Sequence, residues 1–213
     1  MMTNVRIPSL PLALGAALLL AMPVAAQLPN IPVPAQGFGM PATDITAWWG
    51  TGLNDEAGDA NGFGAFVNRS GEQLSFGGAV GVVSASGETE FGAAGNVAFA
   101  LVQGASSTVA FQGGVGGFYP GNLTFLTFPL GVSVAGSIDS GEATIRPWVM
   151  PRLNIARLSS SGASITSTDF AASGGLNFSF GGAFGAGVAL DAVFADGATP
   201  ILFGINGSYA LPG

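Results

Sequence analysis

Apolar side chains recur at every second residue through most of this chain, and that beat limits what it can fold into more than any other feature. In 73–84, Leu74, Phe76, Val80 and Val82 share one phase, while Ser75, Gly77, Ala79 and Gly81 share the other. In 126–134, Leu126, Phe128, Leu130, Val132 and Val134 alternate with Thr127, Pro129, Gly131 and Ser133. In 168–180, Phe170, Leu176, Phe178 and Phe180 alternate with Asp169, Ser173, Asn177 and Ser179. A period of two belongs to the β-strand, whose successive side chains point to opposite faces. The pattern extends from about Ile45 to Leu211, so the two faces of the sheet meet different surroundings along the whole chain.

Composition indicates which surroundings. Apolar residues make up 48% of the chain and charged ones 8%, against about 25% charged in an ordinary soluble domain. Ionic side chains are too few to cover a soluble globule. After the N-terminal leader, no segment carries the roughly 20 consecutive apolar residues of a membrane helix. Strands that cross lipid must close on themselves, because hydrocarbon offers no partner to an open edge. The expected fold is therefore all-β: an antiparallel up-and-down transmembrane β-barrel.

Residues 1–26 read as an export signal, with Arg6 in the positive region, an apolar run from Leu12 to Leu20, and small residues at Val24-Ala25-Ala26. Cleavage is expected after Ala26. Residues 27–42 form a Pro-rich, uncharged extended segment up to Ala42. The barrel is then assigned to 43–213. Ten strand-like stretches fall at 43–53, 61–69, 73–84, 88–103, 106–118, 123–137, 142–157, 167–181, 184–195 and 200–211. Connections alternate between tight turns and two longer loops, the acidic 54–60 and the Ser-rich 158–166. Short turns belong to the periplasmic side of such barrels, and with ten strands both long loops fall outside. That parity favours ten strands over the alternative of eight. Pro129, Pro147 and Pro151 lie within strands, where each removes a ladder donor. They are expected to gather at one height as a gap or bulge, residue 129 facing about residue 150 across a turn at Asp139-Ser140.

The pattern resembles the small outer-membrane β-barrel proteins of Gram-negative bacteria. The resemblance rests on the export signal, the alternating strands and the closing segment Phe203-Gly204-Ile205-Asn206-Gly207-Ser208-Tyr209-Ala210-Leu211, where Phe203, Ile205, Tyr209 and Leu211 keep one phase. It implies outer-membrane lipid and the barrel-assembly machinery as partners, and an outer-membrane location. The last residue is not aromatic, and Pro212-Gly213 follows, a departure from the family pattern.

The chemistry of the chain is defined by what it lacks. There is no His, no Lys and no Cys. Ser–His and Cys–His nucleophile pairs, His or Cys zinc sites, Schiff bases and disulfides are excluded on composition. No enzymatic activity and no cofactor are expected. Net charge is −7, and the five arginines, Arg6, Arg69, Arg146, Arg152 and Arg157, do not cluster, so no nucleic-acid partner is expected. The run Gly113-Gly114-Val115-Gly116-Gly117 lies inside a strand and is not a phosphate loop. Asp55, Glu56 and Asp59 are a weak candidate for a hard cation, without calcium-loop spacing. The phase opposite the apolar one offers lumen-facing candidates: Glu90, Asn96, Gln112, Arg146, Arg152, Asn154, Asp169, Asn177, Asp191 and Asn206. Most remaining positions in that phase are small. A ten-strand wall so lined is not expected to fill its own centre, leaving either a watery pore with weak cation preference or a lumen shut by arginine–carboxylate pairs.

The leading expectation is a monomeric barrel acting as a narrow passive pore or structural wall component. One alternative is a surface adhesion or recognition barrel working through 54–60 and 158–166. The other is a secreted soluble β-sandwich or extracellular polymer subunit.

Overall fold

The computed structural model describes residues 42–85, 88–119, 123–160, 163–181 and 183–211. Residues 1–41, on which the expected export signal and most of the Pro-rich segment fall, and Pro212-Gly213 lie outside the described residues. Eleven strands build one antiparallel sheet: β1 (Ala42–Gly52), β2 (Asn61–Ser70), β3 (Leu74–Ala85), β4 (Glu88–Gln103), β5 (Ser107–Phe118), β6 (Thr124–Gly136), β7 (Ile138–Ser140), β8 (Ala143–Ser160), β9 (Ala163–Phe180), β10 (Phe184–Phe194) and β11 (Ile201–Leu211). Except for β6 and β7, which lie end to end along β8, each strand pairs with the next along the chain; β6 pairs with β8, and β11 returns to β1. The sheet is closed. A sandwich of two stacked sheets is ruled out by this topology.

The ring has ten walls, because β7 continues β6. Gly131↔Arg152 and Val134↔Val149 in β6 and β8, and Ile138↔Ile145 in β7 and β8, belong to one unbroken register. The interruption falls at Gly136-Ser137 opposite Arg146-Pro147. Two more gaps occur without a register shift, at Val132-Ser133 opposite Met150-Pro151 and at Gly114-Val115 opposite Phe128-Pro129. Gly181 N donates to Glu142 O across the end of the β8–β9 ladder. In an antiparallel ladder this alternation turns the amide positions of Pro147 and Pro151 toward β6, and that of Pro129 toward β5. Each gap sits where the missing N–H belongs. The prolines are therefore gaps, as expected, but they do not share one height. The turn lies at Gly141-Glu142, with Gly141 at φ +65°, and Pro129 faces Asn154.

Ladder partners followed from Trp48 give Gly64, Gly81, Gly92, Phe118, Phe125 and Leu158 in one direction. In the other they give Asn206, Gly187, Asn177 and Arg146. Both paths end on β8, and Arg146 and Leu158 lie 12 residues apart, which is the shear of the barrel. Ten strands with that stagger imply a tilt of about 40° and a wall radius of about 10 Å.

The apolar phase faces outward. Phe63, Phe91, Leu153, Phe170, Phe184 and Leu190 are all at least half exposed. Such a girdle is stable only against lipid.

The connection expected at 158–166 is not a loop. β8 runs on to Ser160 and β9 begins at Ala163, with Ser160↔Ala163 and Arg157↔Thr166 paired. The apolar beat fades there because both faces of the hairpin meet water, while Ile165, Thr166 and Thr168 still suit a pleated strand.

Candidate functional site

The interior has three levels, and the local sequence explains each. At the end that carries the loops, Trp48, Val83, Phe118, Phe125, Leu158 and Leu202 point inward and are buried, with Ala57 and Ala60 of the β1–β2 connection packed onto them. The rings of Phe118 and Phe125 meet tilted at 43°, with centroids 5.1 Å apart. Asn54 holds that connection down. Its Nδ2 donates to Thr199 O at 2.8 Å, and its Oδ1 accepts from Ala57 N at 3.1 Å and Ile201 N at 3.0 Å. One side chain thus ties the β1–β2 connection to the start of β11. Asn54→Ala is expected to cost about 1–3 kcal/mol through orphaned backbone groups, and to raise the rate of proteolytic cleavage within 54–60 in folded protein.

This tether decides the fate of the acidic loop. With Ala57 and Ala60 turned down, Asp55, Glu56 and Asp59 are exposed. Among the described residues no three His, Cys, Asp or Glu side chains are grouped so that they could hold a metal ion.

At mid-height, Arg152 meets Asp191 through two parallel bonds, Nη1 to Oδ1 at 2.6 Å and Nη2 to Oδ2 at 2.8 Å. Ser173 Oγ donates to Asp191 and accepts from Arg152 Nη1. Arg152 is 3% exposed and Asp191 2%. The two charges neutralise each other inside the wall. Trp148, Met150 and Ala189 pack together beside them. Gln112 Nε2 donates to Ser133 Oγ at 2.7 Å.

At the end that carries Ala42 and Leu211, the lumen opens into a cavity of about 1170 Å³. Asp44, Glu142, Thr144, Arg146, Ser179 and Ser208 line it.

The remaining candidates from the inward phase scatter over these levels. Glu90 faces Val83 near the loop end. Asn154 and Asp169 are cross-strand partners, and Asp169 Oδ2 accepts from Ser167 Oγ at 3.0 Å. Asn177 and Asn206 both lean over Gly187. Asn96 is half-buried on β4. The ten candidates form no single cluster.

Sequence reasoning missed the apolar fillers. Trp48 sits in the small-residue phase, and its ring lies across the wall over Gly64 and Gly81, with Cζ2 2.7 Å from where a Cβ on either glycine would stand. Phe66 covers Gly77 and Trp148 covers Gly175 in the same way. The glycines are wells for rings from neighbouring strands, so small residues lining the wall do not imply an empty centre. Large residues in the small phase were the available clue.

No protein-family profile matches the chain, and no curated protein matches it in sequence. Solved structures do match its fold. An outer membrane channel from Pseudomonas putida F1 superposes with a TM-score of 0.54 at 9% identity, over 84% of this chain and 99% of that one. The N-terminal β-barrel domain of Pseudomonas aeruginosa OprF gives 0.41 at 9% identity, over 81% and 98%. A bacterial polysaccharide outer membrane secretin gives 0.45 at 11% identity, over 72% of this chain. The chain spans only 57% of the length of that secretin. At such identities the likeness is one of fold: this is an outer-membrane-type β-barrel. Matching barrels include channels, an attachment protein and enzymes, and the fold does not choose among those roles.

Proposed function

We propose that this chain is a non-catalytic structural component of the outer membrane whose lumen is shut. It is exported with its leader removed after Ala26, assembled through its closing strand, and seated in lipid as a monomer. The observation that carries this reading is the apolar plug of Trp48, Phe125, Leu158 and Leu202 across one end, above the neutralised Arg152–Asp191 pair. Buried hydrocarbon side chains are a barrier to a hydrated ion. The absence of His, Lys and Cys from the whole chain supports a non-catalytic role.

The test is electrical. Purified barrel in a planar bilayer is expected to show no conductance steps above the bare membrane. The double substitution Phe125→Ala with Leu202→Ala is expected to admit ions. Stable single-channel steps from the unaltered protein would end this proposal.

A further inference from the structure

The hairpin of β8 and β9 outruns its neighbour. The β9–β10 ladder stops at Phe170↔Phe194, yet β9 stays paired with β8 up to Ala163. Seven residues, Ala163–Asp169, therefore carry a strand edge with no β10 beside it. In the alternation marked by Gly181 N and Glu142 O, odd-numbered β9 residues bond to β8. The N–H and C=O groups of Ser164, Thr166 and Thr168 are thus directed to the side where, among the described residues, no strand pairs. Of the usual guards this edge keeps only a charge, Asp169 at its base. It carries no Pro, no Lys and no bulge, and Ile165 is exposed. A strand laid there would continue the β10 position, directly above the β10–β11 turn that holds Asp196. The charge around it is one-sided. The loop end carries Asp55, Glu56, Asp59, Glu90, Asp169 and Asp196, and their counter-charge on the edge itself is Arg157, which pairs with Thr166 and donates to Ser164 Oγ at 3.5 Å.

We propose that the free edge Ala163–Asp169 binds an extended, basic peptide segment of a partner protein by β-strand addition. The main-chain groups of Ser164, Thr166 and Thr168 supply the ladder bonds. Asp169 at the base of the edge and Asp196 on the turn below select positive side chains. A second copy of this chain fits poorly. In one membrane the β9 strands of two copies both descend from the loop end at about 40° to the normal, so their edges cross instead of lying antiparallel.

The experiment uses the full barrel folded in detergent and a dye-labelled eight-residue peptide of alternating valine and lysine, read by fluorescence anisotropy. Three probes are compared: this peptide, its valine–glutamate counterpart, and a version N-methylated at alternate amides. The basic peptide is expected to bind at least about tenfold more tightly than the acidic or N-methylated ones. Thr166→Pro removes an edge donor without touching a β8 bond, and is expected to weaken binding about tenfold or more while the barrel keeps its heat-modifiable gel shift. Asp169→Asn with Asp196→Asn is expected to flatten the salt dependence. The proposal is overturned if the basic peptide does not bind, if the acidic peptide binds equally, if N-methylation leaves binding unchanged, or if cross-linking shows homodimers joined through β9. Should Thr166→Pro fail to fold, the N-methylated probe decides the matter alone.

Discussion

Arg152→Ala is expected to lower the unfolding free energy of the barrel by about 3–5 kcal/mol, because it leaves the Asp191 carboxylate buried without its partner. Asp191→Ala should cost a similar amount for the mirror reason. The geometry makes the pair costly to break. Both side chains are almost fully enclosed, the bonds are bidentate, and Ser173 bridges the two. The pair is not thereby a large net stabiliser, since burying two charges consumes most of what their attraction returns. The double substitution Arg152→Met with Asp191→Leu should therefore recover most of the loss. With Arg152→Met and Asp191→Leu also made singly, urea unfolding in lipid vesicles, followed by tryptophan fluorescence, gives all four corners of the cycle. Single losses that simply add in the double variant would show that the two side chains act independently, contrary to the structure.

Gly64→Ala is expected to cost about 3 kcal/mol or more, a large effect for one methyl group. The new Cβ would press on Val80 O, stand 2.7 Å from Trp48 Cζ2 and lie 2.8 Å from Gly81 Cα. Two of those three neighbours are backbone and cannot turn aside. Trp48→Ala in the same chain should restore only part of the stability, since the backbone clash remains. Gly78→Ala is the internal control. Its Cβ would meet only Ala94 O at 3.6 Å, and the change should stay within about 0.5 kcal/mol. Equal losses at Gly64 and Gly78 would mean that strand flexibility, and not ring packing, explains the glycines.

The ten walls were legible because lipid and lumen are different solvents, and each membrane-crossing strand records that difference every second residue. The stretches at 61–69, 73–84 and 184–195 match β2, β3 and β10 to within a residue or two. The record stops where the difference stops. Beyond Leu158 the hairpin is wet on both faces, its alternation vanishes, and strand reads as loop. The prolines were placed correctly inside strands. Their heights were not, because a turn at Gly141 instead of Asp139-Ser140 moves every partner across the hairpin.

Local pattern, then, was enough to establish that this chain closes into a barrel and which side chains look outward, since both follow from a period visible within any ten residues. The state of the interior was settled only on closure. Whether Trp48 fills the lumen depends on Gly64 and Gly81 coming beneath it, and Arg152 finds Asp191 across β9. Those meetings join residues on different strands, and the ladder registers that bring them together are fixed by how the strands pair, which no local pattern records.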